Sequence, residues 1–408
     1  MILRSAAGHW PLATGLLLLL LLAPRASAQL ALRADTVYTM AGAPVVDGVV
    51  LVEGGRIREV GPASRVRVPD GWRVLRGRVA TPGLIDARAT VGLTGILNQR
   101  QDQDHLDRGA AIQPELRAID AYNPQDSLVA YLRSFGITTV HTGHSAGALA
   151  AGTMAVFKTA GTTADGAALV PEAMVALTLG EGATGDAPFP GTRARAVAAL
   201  RADFLRAADY VRRRARPDPP ARDLKLDALA SLLDGSRTAL VSAHRAHDIV
   251  AALRLQREFG FRMVLDGAAE AYLVLDDLRA AGVPVAVHPT MLRASGAAEN
   301  LSMDTAARLH AAGLPFAFTS GFEPYVPKVR IVLYEASVAV GQGGLPRDAA
   351  LHALTAGAAR LLGLDGRVGS LAPGLDADVV LWDGDPLEYT THACTVVVDG
   401  VVTDETCR

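Results

Sequence analysis

Short apolar runs alternate with amphipathic stretches through the second half of the chain, and this rhythm limits the fold more than any other feature. The runs at 239–244, 262–266, 284–288 and 315–320 are mostly apolar. Segments with helical spacing follow them at 247–259, 270–281 and 304–312, then at 329–340 and 348–362. Short apolar strands that alternate with helices are buried parallel strands. The first half adds four candidates, Leu84–Ala89, 136–142, 152–159 and 173–179. Eight such strands favour a closed (β/α)8 TIM barrel over an open doubly wound sheet. The glycine-rich stretch 180–185 lacks the strand-to-helix setting of a dinucleotide fingerprint and reads as loop. The Gly-x-Ser-x-Gly elbow of serine hydrolases is absent.

A long helix is expected at 192–216, with Val197, Leu200, Phe204 and Val211 on one face. Its last turn carries Arg212, Arg213, Arg214 and Arg216. Cations at a helix C-terminus complement the macrodipole, so the run reads as a solvated helix end. The formal net charge is only −2, which argues against nucleic acid or an anionic membrane surface as the main partner.

Residues 1–28 read as a secretory signal peptide. Arg4 supplies the positive n-region, residues 16–22 an unbroken apolar h-region, and Ala26-Ser27-Ala28 a small-residue cleavage site before Gln29. The rival reading, a membrane anchor, meets an apolar run shorter than the roughly 20 residues that span a bilayer. A periplasmic or secreted protein without further membrane attachment is therefore expected. Its two cysteines, Cys394 and Cys407, flank an expected hairpin with Asp399-Gly400 at the turn. The fold-back brings them close, and in an oxidising compartment a disulfide is expected. Two cysteines alone do not make a structural zinc site.

Several motifs, in this order, carry a family resemblance. They are Gly54-Gly55-Arg56-Ile57 with Val60-Gly61, Thr81-Pro82-Gly83-Leu84-Ile85-Asp86, Gly136-Ile137-Thr138-Thr139-Val140, and the run from Gly369 to Val380. The chain resembles the amidohydrolase superfamily, and within it the imidazolonepropionase-like members. The resemblance implies an amidohydrolase-like barrel over 82–366. It also implies a small composite β-sandwich domain formed by 29–81 and 367–408. The implied reaction is metal-dependent hydrolysis of non-peptide carbon–nitrogen bonds, normally with zinc or another divalent metal.

The same resemblance shows which positions depart from the pattern. The family's His-x-His on barrel strand one is here Arg88 and Thr90. The strand-five histidine is Ser242, the strand-six histidine is Gly267, and the general-base aspartate of strand eight is Gly321. A lysine expected near Val175 and Ala176 on strand four is also missing. A protonated guanidinium cannot ligate a cation. With the five positions Arg88, Thr90, Ser242, Gly267 and Gly321 substituted and the lysine missing besides, no metal cofactor is expected and metal-assisted hydrolysis is expected to be lost. The expectation is a non-catalytic member that binds a small molecule, or that assembles with itself or with an active relative.

Other polar residues are expected at the barrel mouth, where such barrels carry their sites. They are His141, His144, Lys158, His244, Asp266, His288 and Ser320. Two readings stand for the histidines: a re-sited metal on His141, His244 and His288, with hydrolysis retained there or without metal, or polar residues of a wet pocket. Two also stand for Arg88: bidentate capture of a ligand anion, or an ion pair with Asp266. His105 lies in a polar run, either a lid over the mouth or, as favoured, a solvated loop.

Overall fold

The computed structural model describes residues 29–96, 99–321 and 331–407; the expected leader, 1–28, lies outside the described residues. The barrel is built from eight strand positions. Strands one and two, Leu84–Ala89 and Ile137–Thr142, pair in parallel. Strands four to eight are Met174–Thr178, Thr238–Ala243, Met263–Gly267, Val285–Val287 and Phe316–Phe318, and they form a continuous parallel ladder. The ring closes between strands eight and one, where Gly321 N–H donates to Arg88 O at 3.0 Å.

Strand three differs from the expected parallel run at 152–159. It is broken into Ala150–Thr153, antiparallel to strand four, and Ala155–Lys158, antiparallel to strand two. The cause is chain length. Only residues 143–149 separate strands two and three, and a parallel crossover takes about a dozen residues or more. The chain therefore turns straight back, and the C-terminal end of strand three lies on the barrel floor.

The two ends of the chain meet in one β-rich unit, in which all seven strands are hydrogen-bonded in a single continuous sheet. The join is the antiparallel pairing of Val379–Trp382 with Arg73–Pro82. The hairpin turns expected at Gly54-Gly55 and Asp399-Gly400 have positive φ at all four residues, the backbone that two-residue β-hairpins require. Alternation along Leu30–Val37 sends Leu30 and Leu32 into one apolar cluster and Ala31 into another. Cys394 and Cys407 are disulfide-bonded.

The long helix spans Arg193–Arg214 and is capped by Thr192, whose hydroxyl accepts from Arg195 N–H. Its buried face is Ala196, Leu200, Phe204 and Ala207, so Val197 and Val211 sit to one side of the expected stripe. Among the described residues no helix is long and apolar enough to cross a membrane.

Candidate functional site

A cavity of about 500 Å3 opens at the C-terminal mouth of the barrel, with Arg88, His244, Asp266 and Ser320 on its walls. Strand one presents Asp86 and Arg88 two residues apart, hence on the same side. Both are buried. Arg88 Nε lies 3.4 Å from Asp266 Oδ2, an ion pair outside hydrogen-bond geometry. The same Asp266 oxygen accepts the Ser242 hydroxyl at 2.5 Å. Strands one, five and six are thus joined at the positions where the family resemblance implies metal ligands. Thr90 contributes nothing to the cavity; its hydroxyl lies 3.1 Å from that of Thr94, inside the following turn.

The two glycines are occupied by neighbours. Gly267 has φ +83°, and a Cβ there would meet His244 Cε1 at 2.7 Å and Nε2 at 2.9 Å. The strand-six side chain is replaced by an imidazole reaching across from strand five. At Gly321, φ +61°, a Cβ would lie 3.1 Å from Pro289 Cγ and 3.9 Å from Arg88 Nη1. The guanidinium therefore borders the space that a strand-eight side chain would enter.

The histidines do not form a metal centre. His288 turns away from the cavity: its Nδ1 donates to Pro289 O at 2.9 Å, and its Nε2 is hydrogen-bonded to the Thr305 hydroxyl at 3.1 Å. This corrects the re-sited metal reading, since one of its three imidazoles has both nitrogens engaged elsewhere. His141 donates from Nδ1 to Ala87 O at 2.9 Å. His144 packs against Gly152, where a Cβ would come within 2.3 Å of its ring. Among the described residues no group of three or more His, Cys, Asp or Glu is placed to hold a metal ion. The donor set does not fit a divalent cation, because the nearest charged neighbour of Asp266 is a fixed guanidinium.

Burial keeps these imidazoles neutral. It lowers His141, His144 and His288 to about 4, and His105 likewise, with Arg88 adding to the effect at His105 and His141. His244 is also shifted down by burial, against the opposing pull of Asp266.

Lys158 is a second correction. It was expected at the mouth on the assumption of a parallel strand three, but the reversed strand carries it to the floor. There its Nζ lies 2.7 Å from Asp378, 2.9 Å from Asp399 and 3.2 Å from Asp376, bolting the barrel to the sheet domain. His105 corrects the solvated-loop preference: its Nδ1 is hydrogen-bonded to Ser145 Oγ at 2.7 Å, and both residues line the cavity.

Three further residues were not singled out from the sequence. Asp86 accepts N–H groups of Arg88 and Ser320, both at 3.1 Å, and ties strand one to strand eight. Burial pushes its carboxyl up to about 7 despite those bonds. The period-two relation to Arg88 was the available signal. Gln103 and Arg108 reach the cavity from the loop after strand one, and Arg108 stacks on Phe189 at 4.6 Å from the ring centre. No periodicity marks loop residues of this kind.

Fold and site together define a TIM-barrel protein with an associated β-rich domain and a polar mouth at the C-terminal ends of its strands. The amidohydrolase family profile matches residues 289–404. The solved structure of an amidohydrolase from Thermotoga maritima MSB8 superposes with a TM-score of 0.85 at 25% identity, covering 92% of this chain and 100% of that one. The amidohydrolase tasK of Hapsidospora irregularis is 27% identical over 396 residues, 86% of this chain but only 39% of the longer fungal protein. An imidazolonepropionase of Rhizorhabdus wittichii is 26% identical over 402 residues, covering 85% of this chain and 91% of that protein. Over most of its length the chain is similar in sequence and fold to proteins of the amidohydrolase superfamily.

Proposed function

We propose that this is an exported member of the superfamily that binds a small molecule at the barrel mouth without metal-dependent hydrolysis. The observation that carries the reading is the Arg88–Asp266 pair with Ser242, which fills the ligand positions of strands one, five and six with a salt bridge and a hydroxyl. A cation placed there meets a fixed positive charge, and the water activation that a metal supplies has no seat. Gly321 leaves strand eight without a base to take a proton from water. The imidazolonepropionase-like subgroup is proposed on the relative at 26% identity.

The test is metal analysis of the mature protein purified without chelators and then dialysed against zinc or manganese, together with assays on N-acyl and cyclic amide substrates. We expect well under one metal per chain and no turnover that a chelator abolishes. A stoichiometric ion lost in His141→Ala, or chelator-sensitive turnover, would overturn the reading. Export is tested separately by sequencing the mature N-terminus. Gln29 is expected, and an intact Met1 on the exported chain would refute signal cleavage.

A further inference from the structure

The polar atoms of the mouth are unbalanced. Arg88 is almost wholly buried, its side chain 5% exposed, yet none of its guanidinium N–H groups donates a hydrogen bond among the described residues. The Nε2 amide of Gln103 is also buried and unpartnered on the same cavity. Buried donors of this kind are rare in folded proteins and mark a missing acceptor. The one carboxylate of the cavity wall among the described residues, Asp266, is engaged by Ser242 and Arg88. His244 Nδ1 and Ser320 Oγ, also buried and unpartnered on this cavity, can each donate or accept; the surplus of donors is that of Arg88 and Gln103, which is the arrangement for an acceptor-rich ligand.

Charge narrows the class. Among the described residues, Arg88 and Arg108 line the cavity against Asp266 alone, and the imidazoles beside them are neutral at pH 7. One negative charge balances the site. Shape narrows it again. Asp266 lies on the Nε side of the guanidinium, which leaves the terminal Nη groups, whose planar fork matches a carboxylate. Leu106, Pro289 and Leu292 supply apolar surface on the cavity walls.

We propose that the mouth binds an organic monocarboxylate, its carboxylate on the Nη edge of Arg88 and within reach of Gln103, its apolar body against Leu106, Pro289 and Leu292. Arg108, exposed and braced on Phe189, supplies a guiding charge at the entrance. The inference rests on the non-hydrolytic reading above and names its ligand class.

Calorimetric titration of the full mature chain tests it, using straight-chain carboxylates of four to ten carbons, 4-phenylbutyrate, their primary amides, and inorganic phosphate. At least one carboxylate should bind at least ten-fold more tightly than its amide, as expected for losing a charge-assisted hydrogen bond. Arg88→Gln should remove that preference, so that acid and amide bind alike. Because Arg88→Gln strands Asp266, the Arg88→Gln/Asp266→Asn double variant is titrated beside it and should show the same loss. Gln103→Ala should weaken carboxylate binding. Equal binding of acid and amide, no binding by any carboxylate, or tighter binding of phosphate would each overturn the proposal. If the carboxylates fail on metal-free, inactive protein, this inference falls and the non-hydrolytic reading stands. A stoichiometric catalytic metal removes both.

Discussion

A side chain at Gly267 and the imidazole of His244 exclude one another: the Cβ of any residue at 267 would stand 2.7 Å from His244 Cε1. The loss of the strand-six histidine is therefore not a simple deletion. Its volume has been taken over from strand five. Gly267→Ala is expected to destabilise the fold by about 1–3 kcal/mol through overpacking, with a further cost for a side chain at φ +83°. Adding His244→Ala should recover the steric part only. A double-mutant cycle in urea measures the coupling. Additive effects would mean that the two residues do not meet.

Arg88 and Asp266 are both buried, with side chains 5% and 9% exposed. Removing one partner leaves an uncompensated charge in the barrel, a loss of about 3–5 kcal/mol. Arg88→Met and Asp266→Leu should each show it in urea denaturation. The double variant should recover most of the loss, since buried pairs are often replaced by apolar residues at little cost. A double variant as unstable as the sum of the singles would show that the pair does not interact.

Much of this was legible in the sequence for definite reasons. Alternation of apolar strands and helices located seven of the eight barrel strands, because burial on both faces leaves a continuous apolar run. The altered positions Arg88, Ser242, Gly267 and Gly321 were readable because the words around them persist. Lys158 was misplaced because composition carries no strand direction; the short connection 143–149 did, through the length a crossover requires. The roles of His244 and His288 depend on which way each ring turns after its strand. Thr305 and Pro289 decide that for His288, and the missing side chain of Gly267 decides it for His244. None of these is a periodic signal.

The cluster under the barrel gives an independent prediction. Lys158 is the shared counter-ion of Asp376, Asp378 and Asp399, and Asp378 is held up by burial even in its presence. Lys158→Met should cost about 3–5 kcal/mol, because buried carboxylates lose their partner. It should also loosen the join between barrel and sheet. Hydrogen exchange should therefore quicken in Val379–Trp382 and Arg73–Pro82 more than in strands four to eight. Uniform quickening, or none, would contradict the bolt.

Stability against pH separates the histidines from Asp86. Four imidazoles, His105, His141, His144 and His288, sit near 4 when folded and near 6.5 when unfolded. Between those values the unfolded chain binds more protons, so their contribution is present above about pH 6.5 and is lost as pH falls. Asp86 runs the other way. Its folded carboxyl keeps a proton up to about 7, whereas the unfolded one releases it near 3.8. Its contribution favours folding at low pH and is lost as pH rises through that window. The four imidazoles outweigh the one carboxyl, so net stability should drop on acidification below pH 6.5. Asp86→Asn removes the opposing slope and keeps an oxygen for the N–H groups of Arg88 and Ser320. Relative to the unaltered protein it should gain stability steadily from about pH 4 to 7, by roughly 4 kcal/mol in all, and then level off. Urea denaturation at one-unit intervals from pH 4 to 8 measures this. A difference that does not change with pH would mean that the carboxyl is ionised throughout, and that strands one and eight are joined by a charge.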